Sequence, residues 1–192
     1  NNNDSKNDDI KVNKKFVKKN KKTKDHFRSE VWNYMENYNI ASFPRPVHGR
    51  IPNFYNSRQA CAQILNLKEW KQAKVIKINP DKPQEHARYL SLRDNKRLLV
   101  PTPQLIKGFF NEIIIPNNIK NKYKKQNNRY NANNEYIWDN ILREAATRKG
   151  LNKYGKTIPI NKIPKIDIII VGSVALDMNN GFRIGKGLGF AD

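Results

Sequence analysis

The chain has 192 residues, enough for one domain with a sizeable core, but a hydrophobic content of 38% and a mean hydropathy of -0.85 are low for a compact domain, so part of it is expected to stay unfolded. The net charge of +20 favours polyanionic partners such as nucleic acid, an anionic membrane face or nucleotide phosphates, although residues 1–24 hold nine Lys against three Asp and residues 117–134 hold four Lys and one Arg with no acid. One cysteine, Cys61, excludes an internal disulfide framework; no apolar run approaches the ~20 residues of a membrane span and the N-terminus lacks a signal-peptide core, so the expected address is cytoplasmic.

Residues 1–23 are Asn/Lys-rich, with only Ile10, Val12, Phe16 and Val17 to bury, and are expected to form a disordered basic tail. Such a tail can hold RNA or simply remain solvated. From Lys24 the pattern changes: Phe27, Val31, Tyr34, Met35 and Tyr38 recur at three and four residues, which predicts a helix to about residue 39 with those side chains on its apolar face. Lys24 and Arg28 lie one turn apart on it. Residues 42–54, S-F-P-R-P-V-H-G-R-I-P-N-F, hold three prolines and a glycine, which excludes a helix or a central strand; Arg45, His48 and Arg50 are polar candidates there. Ser57 fits an N-cap for an amphipathic helix running to about Trp70, in whose apolar pattern Cys61 reads as an inert buried thiol.

A strand is expected over 73–79 and a break over 80–84, followed at 85–90 by either a helix or a short strand. Residues 97–100 read as a strand closed by Pro101, 104–110 as a short helix, and 112–115 as a strand closed by Pro116. This alternation predicts an α/β fold with a largely parallel sheet flanked by helices. Residues 117–134 read as a low-complexity surface insertion. Residues 135–149 resume a helix with Gly150 as its C-cap, which places Arg148 and Lys149 in a last turn where cations offset the helix dipole. Residues 153–164 read as a polar connection.

The stretch from Ile166 to Val171, I-D-I-I-I-V, is too short for a helix and reads as a strand buried on both faces. A short apolar segment and a turn at Asn179, Asn180 and Gly181 follow. Then come Arg183, Gly185, Lys186, Gly187 and Gly189; glycines at alternate positions let backbone N–H groups face one concavity, and the two cations add fixed positive charge, so the loop is a candidate phosphate cradle.

These motifs resemble the 5-formyltetrahydrofolate cyclo-ligases, also called methenyltetrahydrofolate synthetases, and in particular the branch of methenyltetrahydrofolate synthase domain-containing proteins. The resemblance runs through K-D-H-F-R-S-E-V-W at 24–32, F-P-R-P-V-H-G-R-I-P-N-F at 43–54, V-I-K-I-N-P-D-K-P-Q at 75–84, L-L-V-P-T-P-Q-L at 98–105, A-A-T-R-K-G at 145–150, and D-I-I-I-V-G-S-V-A-L-D with G-F-R-I-G-K-G-L-G-F-A-D at the end. It implies one domain over 24–192 with a fold similar to ribose-phosphate isomerase and the CoA-transferases, incomplete at the C-terminus, and an ATP- and Mg2+-dependent closure of 5-formyltetrahydrofolate to 5,10-methenyltetrahydrofolate. It also implies site residues. Lys24, Arg28, Arg183, Gly185, Lys186, Gly187 and Gly189 match positions that hold ATP, Glu85 and Phe190 fall at the reduced folate, and Asp192 falls at the metal.

The resemblance assigns no catalytic side chain. Where the enzymes end this loop with two tyrosines, an aspartate and a basic residue, the chain has Phe190, Ala191 and Asp192. That departure implies slow or absent ring closure and keeps open a second expectation, a non-catalytic domain that binds RNA or another partner through its basic segments.

Overall fold

The computed structural model describes residues 23–102, 108–124 and 132–188. Most of the basic tail, residues 104–107 of the helix expected over 104–110 and the middle of the insertion lie outside them, as do Gly189, Phe190 and Asp192. Helix α1, Lys24–Asn37, is capped by Thr23, whose side chain accepts from the His26 amide. Its buried residues are Arg28, Trp32 and Met35, with Val31 packed beside them, whereas Phe27, Tyr34 and Tyr38 are exposed, so only part of the expected apolar stripe belongs to the buried face. Trp32 and Met35 pack with Ala41, Val47, Ile51 and Val174 against the proline-rich segment, which carries cis bonds at Phe43-Pro44 and Arg45-Pro46.

The expected helix to Trp70 is divided into α2, Ser57–Ala62, a 3-10 turn, Gln63–Asn66, and α3, Lys68–Gln72, because Leu67 is extended between them. Ser57 is the first helical residue; the cap position belongs to Asn56 in a left-handed conformation, with no side-chain cap. Strand β1, Val75–Ile78, is followed by helix α4, Glu85–Arg93, which settles the open choice at 85–90, and by β2, Arg97–Pro101. Strand β3, Phe110–Ile113, begins where the short helix was expected to end. Helix α5, Asn117–Tyr123, occupies the first part of the insertion and lays Ile119 on the core.

Helix α6, Ala132–Ala146, stops short of Gly150. Thr147 starts a separate helix, α7, Arg148–Tyr154, its hydroxyl accepting from the Gly150 amide at 3.1 Å. Arg148 and Lys149 therefore sit in a first turn, where the dipole does not favour cations. Gly150 is needed for packing between the two helices, since a Cβ on it would lie 2.0 Å from the Glu144 carbonyl oxygen. Gly150→Ala is expected to cost about 1–3 kcal/mol by overpacking, measured as a lower denaturant midpoint with an unchanged m-value.

The supposed polar connection contains β4, Gly155–Ile158, and β5, Ile168–Ile170, ends the sheet. Five strands take the order β4-β3-β2-β1-β5. The sheet is mixed: β1 pairs in parallel with β2 and β5, with Ile76 opposite Leu98 and Ile168, whereas β3 runs antiparallel to β2 and β4. The expected two-faced burial of the last strand does not hold, because β5 has only β1 beside it among the described residues and Ile169 is 61% exposed. The main core lies between the sheet and α4, α6 and α7, where Ile76, Ile78, Leu90, Leu98 and Ala145 are fully or almost fully buried. A hairpin of β6, Ala175–Leu176, and β7, Arg183–Ile184, then leads into the glycine loop.

Candidate functional site

A cavity of about 1010 Å³ opens at the carboxyl ends of the three parallel strands. Asn79, Pro80 and Asp81 leave β1, Val100 to Thr102 end β2, and Gly172 follows β5; all line it. The chain goes from β1 to β2 on one side through α4 and later returns to β5 on the other. That reversal leaves a crevice beside β1, the position at which open α/β sheets bind ligands.

The glycine loop forms one end of this cavity through Gly185, Lys186 and Leu188. Arg28 is only 8% exposed and holds the loop from below: its Nε donates to the Gly185 carbonyl at 2.8 Å and its Nη1 to Asp25 at 2.6 Å. Gly187 has φ +87, and a Cβ there would stand 3.1 Å from the Arg28 guanidinium carbon, so two independent constraints call for glycine. The Arg183 Nε donates to Ser173 Oγ at 3.0 Å and its Nη2 to the Gly172 carbonyl at 2.8 Å, which fixes the guanidinium at the end of β5. Lys186 reaches across to Asp81 with an Nζ–Oδ1 distance of 3.1 Å.

The floor was not legible beforehand. Lys77, 9% exposed in the middle of β1, has its ammonium on Asn79; burial pushes its pKa down, opposed by Asp81 and aided by Arg183. Arg88, fully buried on α4, donates to the carbonyls of Ala146, Asn79 and Asp81. Burial lowers its pKa to about 10, which leaves it charged at neutral pH. Lone cations inside apolar patterns are the sequence signal that both residues carry.

The proline-rich segment supplies Phe43, Pro44, Gly49, Arg50 and Ile51 to the wall. Of its three polar candidates, only Arg50 faces the cavity: Arg45 pairs with Glu36, and His48 contacts Asn33. Glu36 anchors the segment by accepting from the Val47 amide at 2.7 Å and from Arg45 Nε at 2.8 Å, and these contacts, the amide first, hold its carboxyl below the ordinary value of 4.5. A lowered acid pKa contributes stability that is present above the unfolded value and lost as pH falls through the folded one. Glu36→Gln is therefore expected to lower Tm at pH 7, with the gap to wild type closing below pH 4.5 in a series of thermal melts.

Glu85 lines the same cavity, bound to Lys82 at 2.7 Å, and also borders a smaller hollow of about 320 Å³ that includes His86, Tyr89 and Arg143. Lys24 is exposed at the start of α1 and is not among the lining residues. Thus Arg28, Arg183, Gly185, Lys186 and Gly187 come together, Glu85 stands elsewhere on the wall, and Lys24 stands outside. Thr147, Arg148 and Lys149 line the cavity as well, which the C-terminal-turn reading of that stretch missed. The Cys61 thiol is pushed up by burial and donates to the Pro83 carbonyl, in line with an inert role.

A model of the 5-formyltetrahydrofolate cyclo-ligase family matches residues 20–192. Among curated proteins, the chain is 41% identical over 170 residues to a methenyltetrahydrofolate synthase domain-containing protein of Homo sapiens, covering 88% of this chain and 39% of that protein. Proteins of the same description from Bos taurus and Danio rerio are each 40% identical over 170 residues, covering 88% of this chain and 40% of each relative. The chain spans about two-fifths of the length of the curated relatives it matches.

Proposed function

Because the chain belongs to the 5-formyltetrahydrofolate cyclo-ligase family, we propose that its cavity joins ATP to a reduced folate and forms 5,10-methenyltetrahydrofolate from 5-formyltetrahydrofolate. The formyl oxygen takes the terminal phosphoryl group of ATP, releasing ADP; the second folate nitrogen then closes the ring and phosphate leaves. Such chemistry calls for positioning and for charge stabilisation around the moving phosphoryl group rather than for a nucleophilic side chain. The observation that carries this reading is the glycine loop with Lys186 at the strand-end crevice, in a cavity at the upper end of the range for one small ligand.

In this reading Lys186, Arg50 and the loop amides meet the phosphates. Arg28 and Arg183 are positioning residues, because their guanidinium groups are turned onto the backbone of Gly185 and Gly172. Lys24, one turn before Arg28, is assigned to the phosphates by the family resemblance alone, since it is exposed and does not line the cavity. Magnesium carried by nucleotide phosphates needs one or two protein carboxylates, and Asp81 on the described wall would fit that need, while the Asp192 position lies outside the described residues. When bound, the ion neutralises charge between the phosphates. Glu85 and Phe190 are assigned to the folate.

Calorimetric titration tests this reading. Mg-ATP and 5-formyltetrahydrofolate should each bind saturably and at one site. Failure of both to bind, together with salt-sensitive RNA binding that is lost when residues 1–22 and 125–131 are removed, would replace it with the RNA-binding alternative.

A further inference from the structure

Ile76 and Ile78 of β1 are fully buried in the main core, so the alternation of a strand sends Lys77 to the other face of the sheet. Its neighbours on that face are apolar. Val75 precedes it, and Leu99 of β2 and Ile169 of β5 stand in register with it. Val75 and Leu99 are buried together with Ile158. An aliphatic residue would continue this pattern, yet the strand carries a lysine that is only 9% exposed. Its stem runs toward the carboxyl end of β1, because the ammonium donates to the Asn79 side chain, and both residues line the strand-end cavity.

Lys77 has no carboxylate of its own. Among the described residues its ammonium forms no ion pair, and Asp81, the acid whose charge reaches it, is bound to Lys186 at 3.1 Å. Burial works against the charge on Lys77, Asp81 offsets part of that effect and Arg183 adds to it. A desolvated cation in a cleft is held at a cost to stability, which an anionic ligand offsets. The surroundings narrow that ligand. Lys77 and Lys186 both interact with Asp81, so the two cations approach one carboxylate where the glycine loop meets the end of β1. An anionic group that met both would lie at this junction, between the nucleotide on the loop and the rest of the cavity.

We propose that Lys77 is a catalytic residue, its ammonium binding the phosphoryl group as it passes from ATP to the formyl oxygen of the folate. The bond between the terminal phosphorus and the oxygen of ADP breaks and the bond to the formyl oxygen forms. Lys77 keeps its protons throughout and contributes charge and a hydrogen bond to the phosphoryl oxygens. This rests on the cyclo-ligase reading and places a side chain at the reacting centre, where the family resemblance assigns none.

The test compares the wild-type protein with Lys77→Met, which keeps the stem and removes the charge, and with Lys77→Arg, which returns charge in a different shape. The titrants are Mg-ADP alone and Mg-ADP with aluminium fluoride, which imitates the phosphoryl group in transit, both in the presence of 5-formyltetrahydrofolate. Wild type should bind the fluoride complex at least about 10-fold more tightly than Mg-ADP, and Lys77→Met should lose that increment while its affinity for Mg-ADP stays within about 2-fold of wild type. Lys77→Arg should recover part of the increment. Thermal melts of Lys77→Met should match or exceed wild type, because an unpaired buried charge gives way to an apolar side chain of similar length. Ring closure by Lys77→Met should be about 100-fold slower than by wild type. An increment or a rate that survives in Lys77→Met would overturn the proposal and leave the cyclo-ligase reading intact. So would equal binding of the two titrants by the wild type, or equal losses for both in Lys77→Met, with or without a lower melting temperature. Absence of nucleotide and folate binding by the wild type would remove both the proposal and the reading beneath it.

Discussion

Replacing Arg88 with methionine is expected to lower the unfolding free energy by about 3 kcal/mol or more and to disorder the carboxyl end of β1. Arg88 is the largest fully buried side chain among the described residues, and its guanidinium satisfies three carbonyl oxygens, that of Ala146 at the end of α6 and those of Asn79 and Asp81 in the segment after β1. Methionine fills much of the same volume but donates nothing, and each buried acceptor left without a partner costs about 1–3 kcal/mol, less than additively because the site relaxes. Lysine should rescue only in part, since one ammonium cannot reproduce the planar fork. Denaturant unfolding of the two variants checks this. Equal stability of Arg88→Met and wild type would mean that water replaces the guanidinium, and that Arg88 does not hold Asn79 and Asp81 at the cavity.

Lys186→Ala is expected to weaken Mg-ATP binding by about 10–100-fold while leaving the melting temperature close to wild type. One charge-assisted contact to phosphate accounts for a factor of that size. The structural contribution is smaller: Lys186 faces one carboxylate, at 3.1 Å, from a side chain still 30% exposed. Asp81→Asn, titrated with ATP in the absence of Mg2+ so that any metal contact of Asp81 plays no part, should act in the opposite sense on Lys186, freeing its ammonium, and so separates loss of the cation from loss of the pair. Arg28→Ala should also weaken nucleotide binding, through a loosened loop. In that variant, protease sensitivity near Gly185 should rise, whereas in Lys186→Ala it should not.

The strands and helices that bury a mainly apolar pattern were legible from residues alone. β1, β2 and α6 are of this kind, and the glycine loop was legible through its spacing. The failures have one physical origin, which is that polar atoms decided the local structure. In α1 the buried face includes Arg28, satisfied by the Gly185 carbonyl, and a count of apolar residues passes over it in favour of Tyr34 and Tyr38, which are exposed. At 147–150 the T-R-K-G run holds a capping hydroxyl on Thr147, so Gly150 sits inside a helix rather than ending one. β4 is a polar edge strand paired, among the described residues, only with β3, and its Gly-Lys-Thr start hides it among connecting residues. Lys77 and Arg88 were absorbed into apolar segments for the same reason. The site was therefore half legible: the loop and its brace came from motif and spacing, whereas the floor and the α7 wall depend on contacts between residues far apart in sequence.

Ring closure by the protein itself tests the central claim most directly. With 5-formyltetrahydrofolate and Mg-ATP, the absorbance of 5,10-methenyltetrahydrofolate should rise only when both are present. It should rise slowly, because Phe190 and Ala191 stand where the resemblance sets two tyrosines, and faster by about 10–100-fold when tyrosines are placed at both positions, if each such contact is worth ~1 kcal/mol in the transition state. ATP-dependent product that is accelerated by Phe190→Tyr/Ala191→Tyr is the predicted result. No product from either form, with both ligands bound at saturation, would contradict it.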